Sequence, residues 1–180
     1  MKRLKEILVA TPRLDIVPLS LSQLLMYSNL DYLLERDLGV TKYKRELPKE
    51  LTYTLSQFII PYVSQHPQNI LFGTLWLMID RETKVMVGDL GFKGAPSEKG
   101  LVEIGYGTYP DFENRGYMTE AVDSMVAWVF QQTKVDIILA ETDKSNLPSQ
   151  KILQKTKFSP FAETQFSYWW RMDKNHTAED

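Results

Sequence analysis

The spacing of apolar positions changes several times along the 180-residue chain, and each change marks a different predicted element. Residues 7–17 mix β-branched residues with a turn at Thr11-Pro12, which predicts a first strand that is broken in the middle. Residues 20–30 and 49–65 carry leucines and aromatic residues at helical spacing and predict two helices. Ser20 and Pro48 are typical of helix starts, and Pro61 indicates a kink or an end within the second helix.

Three strand patterns follow these helices. Residues 71–79 and 84–92 are strongly apolar and are separated by a four-residue stretch, 80–83, of the length of a hairpin loop. Residues 101–108 alternate strictly, with Val102, Ile104 and Tyr106 on one face and Glu103, Gly105 and Gly107 on the other. The three segments together predict an antiparallel meander.

The pattern returns to helical spacing after Pro110. Residues 117–131 and 146–155 predict helices, residues 136–140 a short buried strand, and residues 166–172 a last strand, with Ser159-Pro160 interpreted as a chain break. The order β-α-α-βββ-α-β-α-β indicates a mixed α/β or α+β layer fold. We expect one domain over residues 1–173 and a polar tail over 174–180.

Composition removes several classes of function. Hydrophobic residues make up 43% and charged residues 24% of the chain, as in ordinary globular domains. A net charge of -2 argues against binding nucleic acid mainly by phosphate neutralisation. The absence of Cys excludes disulfides, zinc–thiolate sites and a cysteine nucleophile, and the two histidines, His66 and His176, are too distant in sequence to support a metal site.

The absence of Cys fits a cytoplasmic protein, and two further features are consistent with that expectation. No apolar run reaches the ~18 residues of a membrane span, and we find no signal peptide. Residues 32–49 contain Glu35, Asp37, Lys42, Lys44 and Arg45 and are most simply a solvated segment. We therefore expect no membrane partner and no nucleic-acid partner.

The most informative stretch is residues 110–117, where a predicted strand leads through a loop into a helix. Asn114 and Gly116 both tolerate positive φ, so successive backbone N–H groups can point at one anion. The helix start adds partial positive charge and Arg115 adds a full one. These residues, which we name the phosphate loop, predict an anion site; a plain helix start with a glycine turn is the alternative.

Three motifs give this stretch a family context. Residues 103–106 have the sequence EIGY, and residues 115–121, after Pro110, have the sequence RGYMTEA. Residues 11–14 are TPRL, and residues 146–149 are NLPS, followed by Leu153, Lys155 and Phe158. Their order and spacing resemble the GNAT N-acetyltransferases, in particular the RimJ/RimL-like branch that acetylates ribosomal-protein N-termini. The resemblance implies a GNAT fold, with a mostly antiparallel mixed sheet flanked by helices.

The resemblance also implies a reaction and its residues. Acetyl-CoA is the expected co-substrate, and the acceptor is the primary amine of a protein N-terminus or a small molecule. Glu103 is the expected general base, and Ser149 donates a hydrogen bond to the leaving thiolate. Coenzyme binding is expected at Thr108, Asn114, Arg115, Gly116, Tyr117, Met118, Thr119 and Asn146.

Structural roles compete with these assignments. Glu103 is alternatively a solvated carboxylate, Ser149 a residue that satisfies backbone N–H groups in the first turn, and Asn146 a helix cap. The chain departs from the family pattern at Val17, Glu113, Asn114 and Lys157. A non-catalytic acyl-CoA-binding sensor is therefore the second hypothesis. A nucleotide-binding protein is the third, disfavoured because the P-loop and dinucleotide motifs are absent.

Together with this resemblance, the lack of Cys bears on the route of acetyl transfer. Because an acyl-cysteine intermediate is excluded, direct attack of the acceptor amine on the thioester in a ternary complex is favoured. The sequence leaves the identity of the amine open, and a homodimer stays open as well.

Overall fold

The central feature of the structure, a computed structural model, is an eight-stranded sheet in the described part of the chain, residues 9–132 and 134–174. The strand order is β1-β2-β3-β4-β5-β6-β8-β7. The strands are Val9–Ala10 (β1), Leu14–Pro18 (β2), Leu75–Asp80 (β3), Met86–Phe92 (β4), Leu101–Thr108 (β5), Ile137–Asp143 (β6), Ser159–Glu163 (β7) and Ser167–Asp173 (β8). His176 and all of the predicted tail except Lys174 lie outside the described residues.

Helices cover both faces of this sheet. They are Leu21–Asn29 (α1), Leu33–Leu38 (α2), Lys49–Thr54 (α3), Ile60–Gln65 (α4), Ile70–Gly73 (α5), Tyr117–Phe130 (α6) and Leu147–Lys155 (α7). A π-helical segment, Leu55–Ile59, joins α3 to α4, and Pro61 lies in the first turn of α4. None of the described helices is long and apolar enough to cross a membrane.

Alternation along β3 divides the hydrophobic core into two clusters. Trp76 and Met78 pack with α6 and α7 on one face, whereas Leu75, Leu77 and Ile79 pack with α1 to α4 on the other. Both clusters consist of buried side chains, so both faces of the central strands are largely apolar.

One pair of neighbouring strands differs from the others. β5 and β6 run parallel, whereas the other neighbours in the sheet pair antiparallel. The mixed, mostly antiparallel sheet with flanking helices confirms the predicted fold class. The break in the first strand, the meander, α6 and the capped helix α1 are also confirmed.

Two parts of the predicted element order are wrong. Residues 70–73 form a helical turn, so β3 begins only at Leu75. Ser159-Pro160 begins strand β7 instead of forming a break in the chain, and the proline's missing N–H is tolerated because β7 lies at the sheet edge.

The prediction that residues 32–49 form a solvated segment holds for most of its residues but not for Leu34, Glu35 and Arg45, which are buried. The segment contains α2, and Glu35 and Arg45 are both buried with their side chains 3.3 Å apart. Arg45 also lies over the ring of Tyr27, 4.4 Å from its centroid. Mutual pairing lowers the cost of burying these two charges, so Glu35 and Arg45 are buried next to α1 while Lys42 and Lys44 stay exposed.

Candidate active site

The two parallel strands separate after three residue pairs. β5 pairs with β6 over Leu101–Glu103, while residues 104–108 pair with β4 on their other side. The corresponding end of β6, residues 140–143, pairs only with β8. We name this gap between β5 and β6 the strand opening. It leaves backbone N–H and C=O groups of β5 able to pair with an extended ligand.

Two glycines widen the strand opening. A Cβ atom added to Gly105 or Gly107 would meet no atom within 4 Å. Both residues also line a cavity of about 970 Å³, together with Tyr106 and Thr108. The strand opening and this central cavity are therefore continuous.

A pair of hydroxyl groups crosses the strand opening. The hydroxyl of Tyr106 on β5 lies 3.0 Å from the hydroxyl of Ser149 in the first turn of α7. Burial raises the pKa of Tyr106 to about 12, although the bond to Ser149 opposes that rise. Asn146 caps α7, because its side-chain oxygen accepts from the Ser149 backbone N–H at 3.1 Å. Two predicted site residues, Asn146 and Ser149, thus lie together at the side of the strand opening.

The predicted phosphate loop has the expected backbone. Asn114 has φ 59° and Gly116 has φ 76°, both in the left-handed region. Gly116 is the N-cap of α6, and no side chain caps that helix. The first N–H groups of a 14-residue helix are therefore directed at the loop and are available to an anion.

Arg13 braces this loop from the N-terminal strand. Its Nη1 donates to the carbonyl of Arg115 at 2.9 Å, and its Nε donates to Glu120 at 2.6 Å. Thr11 donates to the same carboxylate. Burial alone would raise the pKa of Glu120, but the bonds from Thr11 and Arg13 hold it below its usual value. The TPRL motif therefore fixes the first turn of α6.

The predicted coenzyme residues differ in what they offer. Met118 is buried in the core, and the Tyr117 hydroxyl donates to Asp80 at 2.8 Å. These two residues are therefore able to bind a ligand at the loop only through their backbone N–H groups. Asn114 and Arg115 are exposed, with the Arg115 guanidinium 5.4 Å from the centroid of the Phe112 ring.

Glu103 lies where the two strands begin to separate. Its carboxylate forms an ion pair with Lys93, and its side chain is 22% exposed. Lys93 lines the central cavity, whereas Glu103 is not among the lining residues. The geometry thus gives Glu103 a charged partner but no direct contact with the cavity.

Sequence reasoning missed a carboxylate that does line the cavity. Asp89 on β4 is 6% exposed and lies opposite Gly107 of β5. Its Oδ2 accepts a hydrogen bond from Tyr27 at 2.8 Å, and Tyr27 lies 3.2 Å from the hydroxyl of Tyr109. Burial raises the pKa of Asp89 to about 6, against the lowering effects of Tyr27 and the charge of Arg45. The available signal was one acidic residue within an otherwise apolar strand.

The remaining cavity wall is mostly apolar. It comes from the loop before α3, from α3, from the π-helical segment and from α4, and it includes Leu47, Leu51, Phe58, Ile59 and Tyr62. Among residues 9–132 and 134–174, no group of three or more His, Asp or Glu side chains is arranged to hold a metal ion.

Comparison with protein families gives one domain match. The family described as Acetyltransferase (GNAT) domain matches residues 13–159, which include the phosphate loop, the strand opening and Ser149.

Individual relatives agree with this match. An uncharacterized N-acetyltransferase of Bacillus subtilis strain 168, YjdG, is 35% identical over 83 residues, which are 46% of this chain and 49% of that protein. The matched stretch thus spans about half the length of such curated relatives.

Solved structures share the fold over nearly the whole chain. RimL, an alpha-N-protein acetyltransferase of ribosomal L7/L12 solved in complex with coenzyme A, has a TM-score of 0.69 at 11% identity, covering 93% of this chain and 98% of that one. A GNAT-family acetyltransferase from Bacillus anthracis has a TM-score of 0.63 at 18% identity, covering 94% and 99%.

Proposed function

This chain belongs to the GNAT acetyltransferase family, and from that membership and the site we propose that it transfers the acetyl group of acetyl-CoA to a primary amine. The observation that carries the proposal is the strand opening. It leads from the phosphate loop along a free edge of β5 to the central cavity. An extended anionic thioester and an amine thus have adjoining places to bind.

The coenzyme would lie along β5. Its pantetheine amides would pair with backbone groups of residues 104–108, ending at Thr108, as an added strand pairs with a sheet edge. Its pyrophosphate would accept hydrogen bonds from the backbone N–H groups of residues 116–119. Asn114, Arg115 and Asn146 are the side chains that we assign to the coenzyme's polar groups.

The reaction would proceed by direct attack in a ternary complex. The amine nitrogen forms a bond to the acetyl carbon, the carbon–sulfur bond breaks, and coenzyme A leaves as a thiolate that must gain a proton. Ser149 would donate a hydrogen bond to that sulfur, and Tyr106 would orient the Ser149 hydroxyl. The lack of Cys in the chain leaves no route through an acyl-cysteine.

The resemblance implies Glu103 as the general base, but its carboxylate does not line the cavity in which the acceptor would bind. Its ion pair with Lys93 and its position outside the cavity lining favour action through an intervening water. If Glu103→Gln keeps full kcat/KM across pH, that assignment is wrong.

The acceptor would be the amine of a protein N-terminus or of a small molecule. RimL, which shares this fold, acts on a protein N-terminus. In this chain, the apolar cavity wall of Leu51, Phe58 and Ile59 supports an acceptor with an apolar side chain next to the amine.

One observation favours the second hypothesis, a non-catalytic acyl-CoA-binding module. Glu113 lies within the phosphate loop and lines the cavity, so its negative charge would oppose a pyrophosphate close by. Binding and turnover must therefore be measured separately.

Two measurements do this. At about 100 times its Kd, acetyl-CoA or CoA should stabilise the fold by ~2.7 kcal/mol, whereas ATP should not. Thiol release from acetyl-CoA is then followed with a tripeptide that has a free N-terminus and with phenethylamine. Stabilisation with amine-dependent thiol release supports the enzyme, stabilisation without it supports the sensor, and no stabilisation by either coenzyme removes both hypotheses.

A further inference from the structure

The central cavity carries an excess of negative charge. Among the residues that the structure describes, four carboxylates and one cationic side chain line it, and that cation, Lys93, is neutralised by its ion pair with Glu103. The four lining carboxylates are Glu46, Glu50, Asp89 and Glu113. A cavity of this charge attracts cations, and a primary amine enters it from water as an ammonium ion.

Asp89 differs from the other three carboxylates in burial. Glu46, Glu50 and Glu113 are exposed at the rim, whereas Asp89 is 6% exposed. Among the described residues, Tyr27 is the hydrogen-bond donor to this carboxylate, and it bonds to Oδ2, which leaves Oδ1 for a ligand. The residue opposite Asp89 is Gly107, whose missing side chain leaves open space next to the carboxylate.

The side chains packed around Asp89 hold its carboxylate in place, but among the described residues no cationic group contacts it. Tyr27 from α1 donates to it, and Tyr109, at the end of β5, contacts Tyr27 through their hydroxyls. Arg45 stacks on the Tyr27 ring, but its ion pair is with Glu35. A buried carboxylate with no cation in contact is costly to the fold and is typical of a functional site.

We propose that Asp89 binds the ammonium group of the acceptor and takes its proton. This inference rests on the proposed acetyl transfer. One proton passes from the ammonium to Asp89 Oδ1, and the neutral nitrogen then attacks the acetyl carbon. A second proton leaves the nitrogen as the carbon–sulfur bond breaks and is taken up by the thiolate. Asp89 later returns its proton to water.

Two physical features favour this transfer. The step converts a buried ion pair into two neutral groups, which a low-dielectric cavity favours. Burial also brings the pKa of Asp89 to about 6, near the working range of a general base at neutral pH.

Glu103 is too far along the sheet to share this nitrogen. Asp89 pairs with Gly107, which lies four residues beyond Glu103 on the same strand, or about 13 Å at the usual rise. A base at Asp89 and a base at Glu103 therefore predict opposite effects of Asp89→Asn and Glu103→Gln on activity.

The test compares Asp89→Asn, Glu103→Gln and the exposed control Glu98→Gln in the full chain. With acetyl-CoA saturating and phenethylamine varied, we expect Asp89→Asn to lower kcat/KM by about 100-fold and Glu98→Gln to leave it unchanged. The acetyl-CoA Kd should stay within about threefold in all three variants, since none removes a coenzyme contact. Equal activity of Asp89→Asn and the wild type, or a comparable loss confined to Glu103→Gln, overturns the proposal.

A pH profile distinguishes a proton acceptor from a merely structural residue. Tyr27→Phe removes the hydrogen bond that lowers the Asp89 pKa, so the acid limb of kcat/KM should move to higher pH. An unmoved limb overturns the assignment.

Binding without turnover gives a separate readout. If acetyl-CoA binds but no amine is acetylated, the proposed function fails. The cation site is then tested on its own by titrating phenethylammonium calorimetrically into the CoA complex. Binding by the wild type that is lost in Asp89→Asn supports the cation site, and equal binding, or none by the wild type, refutes it.

Discussion

The Tyr106 hydroxyl lies 3.0 Å from the Ser149 hydroxyl, across the gap where β5 and β6 separate. Because burial raises the pKa of Tyr106 to about 12, Tyr106 stays protonated at physiological pH and can donate to Ser149. Either hydroxyl can be the donor in this pair, and when Tyr106 donates, the Ser149 proton is available to a coenzyme sulfur.

Removing the Ser149 hydroxyl tests this arrangement. We expect Ser149→Ala to lower kcat by about tenfold, the equivalent of one hydrogen bond that strengthens in the transition state. The acetyl-CoA Kd should change little, because the backbone N–H of Ser149 still bonds to Asn146. Ser145→Ala, an exposed change in the preceding loop, is the control. A loss below about threefold in kcat would indicate that Ser149 serves only the helix start.

The stability of the protein should depend on Asp89 in a specific pH window. Burial raises its pKa to about 6 in the folded state, from about 3.9 when unfolded, so the folded state holds the proton more tightly. The stability from this group is complete below pH ~4 and is lost as the pH rises through about 6.

Asp89→Asn removes this dependence. The difference between the unfolding free energy of Asp89→Asn and that of the wild type should shift in favour of the variant by on the order of 2–3 kcal/mol from pH 4 to pH 7. Urea titrations at the two pH values measure the difference. A constant difference between the two proteins would show that Asp89 titrates normally in the fold.

The buried pair of Arg45 and Glu35 should be the most sensitive charged site in the fold. Arg45→Met leaves Glu35 buried without its cation, which costs about 3–5 kcal/mol of unfolding free energy. The exposed neighbour change Lys44→Met should cost less than about 0.5 kcal/mol. Adding Glu35→Gln to Arg45→Met should recover part of the loss. If Arg45→Met is as stable as Lys44→Met, the pair is not buried in solution.

Local sequence patterns predict much of this fold, because helical and strand periodicity depend on neighbouring residues. The alternation of residues 101–108 and the apolar stripe of α6 are examples. Positive φ at Asn114 and Gly116 followed from residue type alone. Lys157 also has a positive φ, of 65°, which its residue type does not indicate and only the fold shows.

Features that depend on distant partners could not be predicted. Glu35 and Arg45 are residue types that are usually exposed to solvent. Their burial follows from the pairing of Glu35 in α2 with Arg45 in the loop that connects α2 to α3. Pro160 resembled a break because nothing local shows that its strand is an edge. Asp89 was missed because its significance depends on Tyr27, 62 positions away in sequence.

A substitution at Gly105 tests whether the coenzyme binds along β5. A leucine at Gly105 should fold normally, because a Cβ there meets nothing within 4 Å, but its side chain would fill the space next to the strand opening. The control Ala162→Leu adds similar bulk to the exposed edge strand β7.

The decisive measurement is the calorimetric Kd for acetyl-CoA in these three proteins, with each Tm recorded beside it. We expect equal Tm values, binding by the wild type and by Ala162→Leu, and at least about tenfold weaker binding by Gly105→Leu. Equal affinity in all three proteins, or no binding by the wild type, would contradict binding of the coenzyme along β5.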